Sequence, residues 1–151
     1  LISAFPRQSS DPKSADIYFG AEMERKDAVR KGREAEDRVY QKLELLGMNP
    51  KMMPWKHPFD ILLGNGKRID VKTTDTYMNI KVGSRSYKYY RFRTRKEQKQ
   101  DFADFFILVI ENDYYVIPYE AAPRDNIFLY KHICKTAKWS RFLNAFSLLV
   151  K

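Results

Sequence analysis

Apolar positions recur along this chain at two different periods. Between residues 21 and 46 Ala35, Val39, Leu43 and Leu46 fall on one face at three- and four-residue spacing, which predicts a helix. Gly32 is a place for that helix to break or bend, and Gly47 is placed to end it. After Pro50 and Pro54 the period shortens to that of strands. Residues 59–63 and 68–73 flank Gly64-Asn65-Gly66, and an Asn-Gly pair in a short loop signals a hairpin. Further strands are expected over residues 77–82 and 87–94. The apolar run 105–111, the turn at Asn112-Asp113 and the strand 114–118 form a buried central hairpin. Residues 140–150 (SRFLNAFSLLV) predict a closing helix with Ser140 as its N-cap. Trp55 and Trp139 are expected in the core. Residues 1–19, with Pro6, Ser9, Ser10, Pro12 and Ser14, read as an arm or linker ahead of a single domain over 20–151. The expected class is α/β or α+β: helix, mixed sheet of four to five strands, helix.

Length and composition agree with one domain, since 151 residues can bury about two-thirds of the unfolded surface. The chain opens on Leu1 rather than methionine, as a fragment or processed form would, and a recognition domain upstream is compatible with it. The longest apolar run, 105–110, is far below the roughly 18 residues of a membrane span, so a soluble protein with no membrane partner is expected. A single cysteine, Cys134, excludes an internal disulfide framework and any multi-cysteine zinc site, and reads as a core thiol of a reducing cytoplasm. His132 has no partner in sight.

Charge sharpens the picture, because the net charge of +9 is concentrated. Residues 81–100 carry Lys81, Arg85, Lys88, Arg91, Arg93, Arg95, Lys96 and Lys99 against Glu97 alone. Arg91, Arg93 and Arg95 alternate with Tyr90, Phe92 and Thr94, so one face of that strand packs while the other is cationic. A cationic ribbon of this kind suits a phosphate backbone. A solvated charged face, an acidic protein and an anionic membrane surface are the other readings. Tyr77, Tyr87 and Tyr89 could stack on bases, or serve as ordinary cross-strand pairs.

The hairpin carries the candidate chemistry. With a three-residue loop, Ile61 pairs with Ile69, and Asp60 falls opposite Asp70. Ile61, Leu63, Ile69 and Val71 then share one face, and Asp60, Asp70 and Lys72 the other. A two-residue loop would separate the acids. Two carboxylates about 4 Å apart repel by roughly 4 kcal/mol at an effective dielectric of 20, so a positive charge belongs with them. Lys72 is one candidate and a hard divalent cation the other. An inert ladder of Arg68, Asp70 and Lys72 is the plain alternative. Glu36 borders the Val39 and Leu43 face and can reach toward the sheet, whereas Glu34 and Asp37 point to solvent.

Gly32-Arg33-Glu34-Ala35-Glu36, Pro58-Phe59-Asp60 and Asp70-Val71-Lys72-Thr73-Thr74 together resemble the PD-(D/E)XK nuclease superfamily. Order and spacing are similar to its group I intron-encoded endonucleases and to archaeal Holliday-junction resolvases, over residues 32–122. The segment DFADFFILVIENDYYVIPYEAA leans toward the intron type. One departure is Phe59, which separates Pro58 from the acid of the Pro-Asp step. The resemblance implies a restriction-endonuclease-like core and a magnesium-dependent DNA endonuclease, with Mn²⁺ able to substitute. It places the metal on Asp60, Asp70 and the Val71 carbonyl, has Lys72 orient the attacking water, and gives Glu36 a second metal or a water beside the first. Arg85, Lys88, Arg91, Arg93, Arg95 and Lys96, with Thr73 and Thr74, would face double-stranded or branched DNA, and a homodimer or homotetramer is the expected assembly. A junction resolvase and an inert DNA-binding module of the same fold are the alternatives.

Overall fold

The computed structural model describes residues 12–74, 76–96, 102–130 and 138–151, so Cys134 and His132 lie outside the described residues. The chain divides into two units, one ending at Glu34 and the other running from Ala35 to Lys151.

The helix α1, Pro12–Leu45, begins inside the stretch read as an arm and passes through Gly32 without a break. Proline suits a first turn because its missing N–H has no intrahelical partner there. Within the first unit, Arg30 pairs with Asp27 and Lys31 Nζ lies 3.5 Å from Asp27, neighbours on one helix face worth a few tenths of a kcal/mol each. In the second unit, the helix ends as expected. Gly47 takes φ +74°, Gly47 N–H donates to Glu44 O at 3.0 Å, and Met48 N–H donates to Leu43 O at 3.1 Å, a Schellman closure.

The rest of the second unit is β1 (Lys51–Met52), β2 (Ile61–Leu62), β3 (Arg68–Thr73), β4 (Tyr77–Val82), β5 (Arg85–Arg93), β6 (Phe105–Ile110), β7 (Asp113–Pro118) and β8 (Asn126–Tyr130) with short 3₁₀ segments. They form two sheets rather than the one expected. The first is five-stranded and mixed, ordered β1-β2-β3-β6-β7, with β3 and β6 parallel and the other pairs antiparallel. The second is three-stranded and antiparallel, ordered β4-β5-β8, and β8 was not foreseen.

Two cores explain the unbroken apolar run of β6. Phe105, Ile107 and Val109 pack with Ala35, Val39 and Leu43 of the helix and with Ile61, Leu63 and Ile69 of the hairpin. Phe106, Leu108 and Ile110 point the other way, onto Tyr90, Phe92, Ile127 and Leu129 of the second sheet. A strand buried on both faces has no polar position to alternate with. Ile107 is fully buried at its centre. Ile107→Ala should therefore cost about 2–5 kcal/mol, read from urea denaturation, and a loss under about 1 kcal/mol would refute this packing.

Two further expectations fail. The closing helix over 140–150 does not form: two 3₁₀ segments, Ser140–Phe142 and Phe146–Val150, take its place, and no side-chain N-cap bond is made. Asn144 separates them at φ +52°, donating its N–H to Tyr114 O, while Leu143 bridges Tyr115. The segment is held as an edge partner of β7, and that pairing overrides its helical spacing. Trp55 is 80% exposed rather than core, because it sits in the β1–β2 connection with Lys56 Nζ 4.9 Å over its ring. Trp139 is buried as expected. Among the described residues no helix is long and apolar enough to cross a membrane.

Candidate active site

The hairpin register is the one the three-residue loop requires. Ile61 pairs with Ile69 and Leu62 with Arg68, and Leu63 N–H donates to Lys67 O at 2.9 Å. Gly66 takes φ +89° at the turn, a conformation that side chains resist. Asn65 Nδ2 donates to Leu149 O at 2.8 Å and Gly64 N–H to Met48 O at 3.0 Å, so the loop is tied down at both sides. At its open end the hairpin is clipped by one of the acids: Val71 N–H donates to Asp60 Oδ2 at 2.7 Å, and Asp60 N–H donates to Ile69 O at 2.9 Å.

That clip brings the Asp60 carboxyl within hydrogen-bonding reach of Asp70 and into the field of Glu36. Burial first, then the charges of Asp70 and Glu36, push the Asp60 carboxyl up to about 8, although the Val71 N–H pulls the other way. Asp70 itself is 7% exposed. Lys72 Nζ stands 2.8 Å from Asp70 Oδ2, an ion pair that gives this buried oxygen its partner. The displaced Asp60, with Phe59 before it, thus reaches its neighbours. Phe59 instead packs beside the second-sheet core and edge-on to His57. Glu34 and Asp37 are exposed, as expected of solvated acids.

Lys72 also lines a second feature. With Thr73, Thr74 and Thr76 of the chain leaving β3, and Arg91, Arg93 and Arg95 on and just after β5, it encloses a cavity of about 300 Å³. Strand alternation does the sorting: Tyr90, Phe92 and Thr94 are buried, while Arg93 and Arg95 are exposed and Arg91 is half-buried. Thr94 Oγ1 donates to Pro123 O at 2.8 Å, and Arg91 N–H to Thr76 O at 3.1 Å, which fixes the arginine row against the threonines. Arg91 Nε is buried with no hydrogen-bond partner.

The other cations separate from this cavity. Lys96 Nζ donates to Tyr119 O and Ala122 O, both at 2.9 Å, and lies 4.4 Å over the Tyr119 ring, so its charge closes a turn rather than facing outward. Lys88 pairs across from Asn79 on the Tyr90 side of the sheet, with its ammonium 4.8 Å over Tyr77, and so is on the face opposite the arginines. Arg85 is exposed at the far end of β5. Thr76 is a cavity residue the sequence reading passed over, although it continues the Thr73-Thr74 run. Equally unforeseen, Asp104 receives the Arg68 backbone N–H at 2.8 Å and its guanidinium at 3.1–3.2 Å, bonds that hold its carboxyl below the usual range. The clamp anchors the start of β3 beside β6.

No protein-family model, no curated protein and no solved structure matches this chain.

The acid pair suits a hard cation by its chemistry. All its donors are oxygens, and burial together with the charge of Asp70 disfavours the charged form of Asp60. Among the described residues no three or more His, Cys, Asp and Glu side chains are grouped to hold a metal ion, so Glu36 does not join Asp60 and Asp70 as a ready-made ligand set.

Proposed function

We propose that this chain is a magnesium-dependent DNA endonuclease of the PD-(D/E)XK type, built on a restriction-endonuclease-like core. One observation carries the reading: Lys72 stands between a buried acid pair, to which it is ion-paired, and a cation-lined cavity with an unpartnered buried donor, Arg91 Nε. A hydrolase of phosphodiesters needs both halves, one to hold a metal and one to hold the phosphate.

Asp60 and Asp70 would hold the ion, with the Val71 carbonyl as a further ligand, and Glu36 would complete its surroundings. Magnesium bound there, or manganese in its place, would neutralise the acids and polarise the phosphodiester. Lys72, already fixed by Asp70, orients the nucleophile and offsets charge developing on the phosphate. A lysine of ordinary basicity is a poor proton acceptor at neutral pH, so positioning is its role rather than proton abstraction. Arg91, Arg93 and Arg95 grip the backbone, and Thr73, Thr74 and Thr76 offer hydroxyl donors to the same phosphate. Cutting both strands from one site per chain calls for two copies, hence a homodimer or homotetramer.

Incubating the protein and magnesium with supercoiled plasmid, linear duplex and a four-way junction tests the reading. Nicking or linearisation of plasmid supports it, and a strong preference for the junction identifies a resolvase instead of a sequence-reading enzyme. DNA binding with no cleavage of any substrate in magnesium or manganese leaves an inert DNA-binding module. A second expectation concerns the arginines alone. Arg93→Ala and Arg95→Ala should each flatten the slope of log affinity against log salt for duplex DNA by about 0.9. Slopes equal to wild type would remove these residues from the interface.

A further inference from the structure

The outer face of the second sheet is not the polar surface that an antiparallel sheet usually turns to water. Tyr89 on β5 and Phe128 on β8 stack with ring centroids 5.1 Å apart and planes 5° from parallel. Tyr130 closes on Tyr89 at 4.4 Å. Phe128 and Tyr130 are each 39% exposed, and Met78, opposite Tyr89 on β4, is 58% exposed. These side chains share the face of Arg91 and Arg93, because Arg91 pairs with Phe128 and Arg93 with Asn126. The aromatic rings therefore begin one outward-facing position, about 7 Å of strand, from the first arginine of the Lys72 cavity.

We propose that this face is a stacking platform for an unpaired DNA strand, whose bases lie on the exposed Phe128 and Tyr130, propped by Tyr89 packed against both, while its phosphates enter the Arg91–Arg93 end of the cavity. The identification of DNA rests on the nuclease reading above. Charge complementarity selects a polyanion over an apolar peptide: the face runs from rings into arginines, the unpartnered Arg91 Nε lies at the junction, and none of the paired outward positions of the three strands is acidic. Rings that stack on bases accept every base, since each has a π face. Paired bases in a duplex keep their faces covered, so the platform favours a frayed, flapped or branched substrate over intact linear DNA.

Fluorescence anisotropy in EDTA, with labelled oligothymidylate and an abasic oligonucleotide of the same length and charge, isolates the rings from the arginines. Wild-type protein should bind the thymidylate at least about tenfold more tightly. In Tyr89→Leu/Phe128→Leu the two affinities should converge on the abasic value, with the salt dependence unchanged. Because the first comparison uses wild type alone, it stands even where the double variant folds poorly. Equal wild-type affinities, or no binding of either strand, overturn the platform. So does a concentration-dependent dimer in sedimentation that Phe128→Ser dissociates, which would give the face to a second copy of this chain. Magnesium-dependent cleavage of plasmid is scored separately: its loss with stacking intact sinks the nuclease reading only, and its presence without stacking sinks the platform only.

Discussion

Replacing Lys72 by alanine should lower the rate of plasmid cleavage by about 10²–10³-fold while leaving DNA affinity within a few-fold of wild type. In the proposed complex the ammonium would be one of several cations on the phosphate, so Arg91, Arg93 and Arg95, which line the same cavity, would retain most of the binding. Among them it is the one fixed by an acid of the pair, with its Nζ 2.8 Å from Asp70 Oδ2, and in the proposed reaction that contact would aim it at the reacting group. Lys72→Arg should rescue little, because a planar guanidinium in the same space spreads its charge away from the point the ammonium occupies. Single-turnover rates beside anisotropy separate the two effects. Equal losses in rate and affinity would make Lys72 a backbone contact, and an unchanged rate would remove it from the chemistry.

The second large effect concerns Asp60. Its carboxyl titrates near 8 in the folded protein, against 3.8 for an ordinary aspartate of the kind an unfolded chain presents. The folded state therefore binds the extra proton between these values. Stability from this group is fully present below about pH 4 and is lost as pH rises through about 8. Asp60→Asn keeps an oxygen to accept the Val71 N–H but cannot charge. In metal-free buffer at pH 8 it should melt several degrees above wild type, since each kcal/mol moves the midpoint of a chain this size by roughly 2–4 °C. Magnesium should narrow the gap. At a hundredfold excess over its Kd it stabilises wild type by about 2.7 kcal/mol and the variant by far less. A wild-type midpoint flat from pH 4 to 8, or equal magnesium shifts in both proteins, would show that the acids do not converge as described.

The parts of this site legible in the sequence are those set by neighbours along the chain. Gly64-Asn65-Gly66 dictates a loop length, the loop dictates register, and register puts Asp60 across from Asp70 with Ile61 and Ile69 behind them. The same local logic reads the alternation of Tyr90 to Arg95 and the helix stop at Gly47. What escapes it is decided by distant partners. The stretch NIFLY becomes the strand β8 through its pairing with β5, a distant partner that makes a second sheet. SRFLNAFSLLV has helical spacing, but a free edge of β7 captures Asn144 and Leu143 first. Lys96 reads as one more base of a cationic run until the carbonyls of Tyr119 and Ala122 come within its reach. Trp55 escapes for a related reason: large aromatic rings are often buried on average, and nothing in its own neighbourhood marks the connection it occupies as outward-facing.

The parallel pairing of β3 with β6 also orders the assembly of the site in time. Asp60, Asp70 and Lys72 belong to a single hairpin, and hairpins close within microseconds of becoming available. The arginine strand needs more. β5 must pair with β8, and the resulting sheet must pack on a face of β6 that is itself seated on β3 only after the intervening chain has been laid down. Contacts between distant segments form late. A chain emerging from the ribosome thus carries its acids before it has the cavity that would hold a phosphate against them, and the cleavage proposed here is withheld until the last sheet has docked.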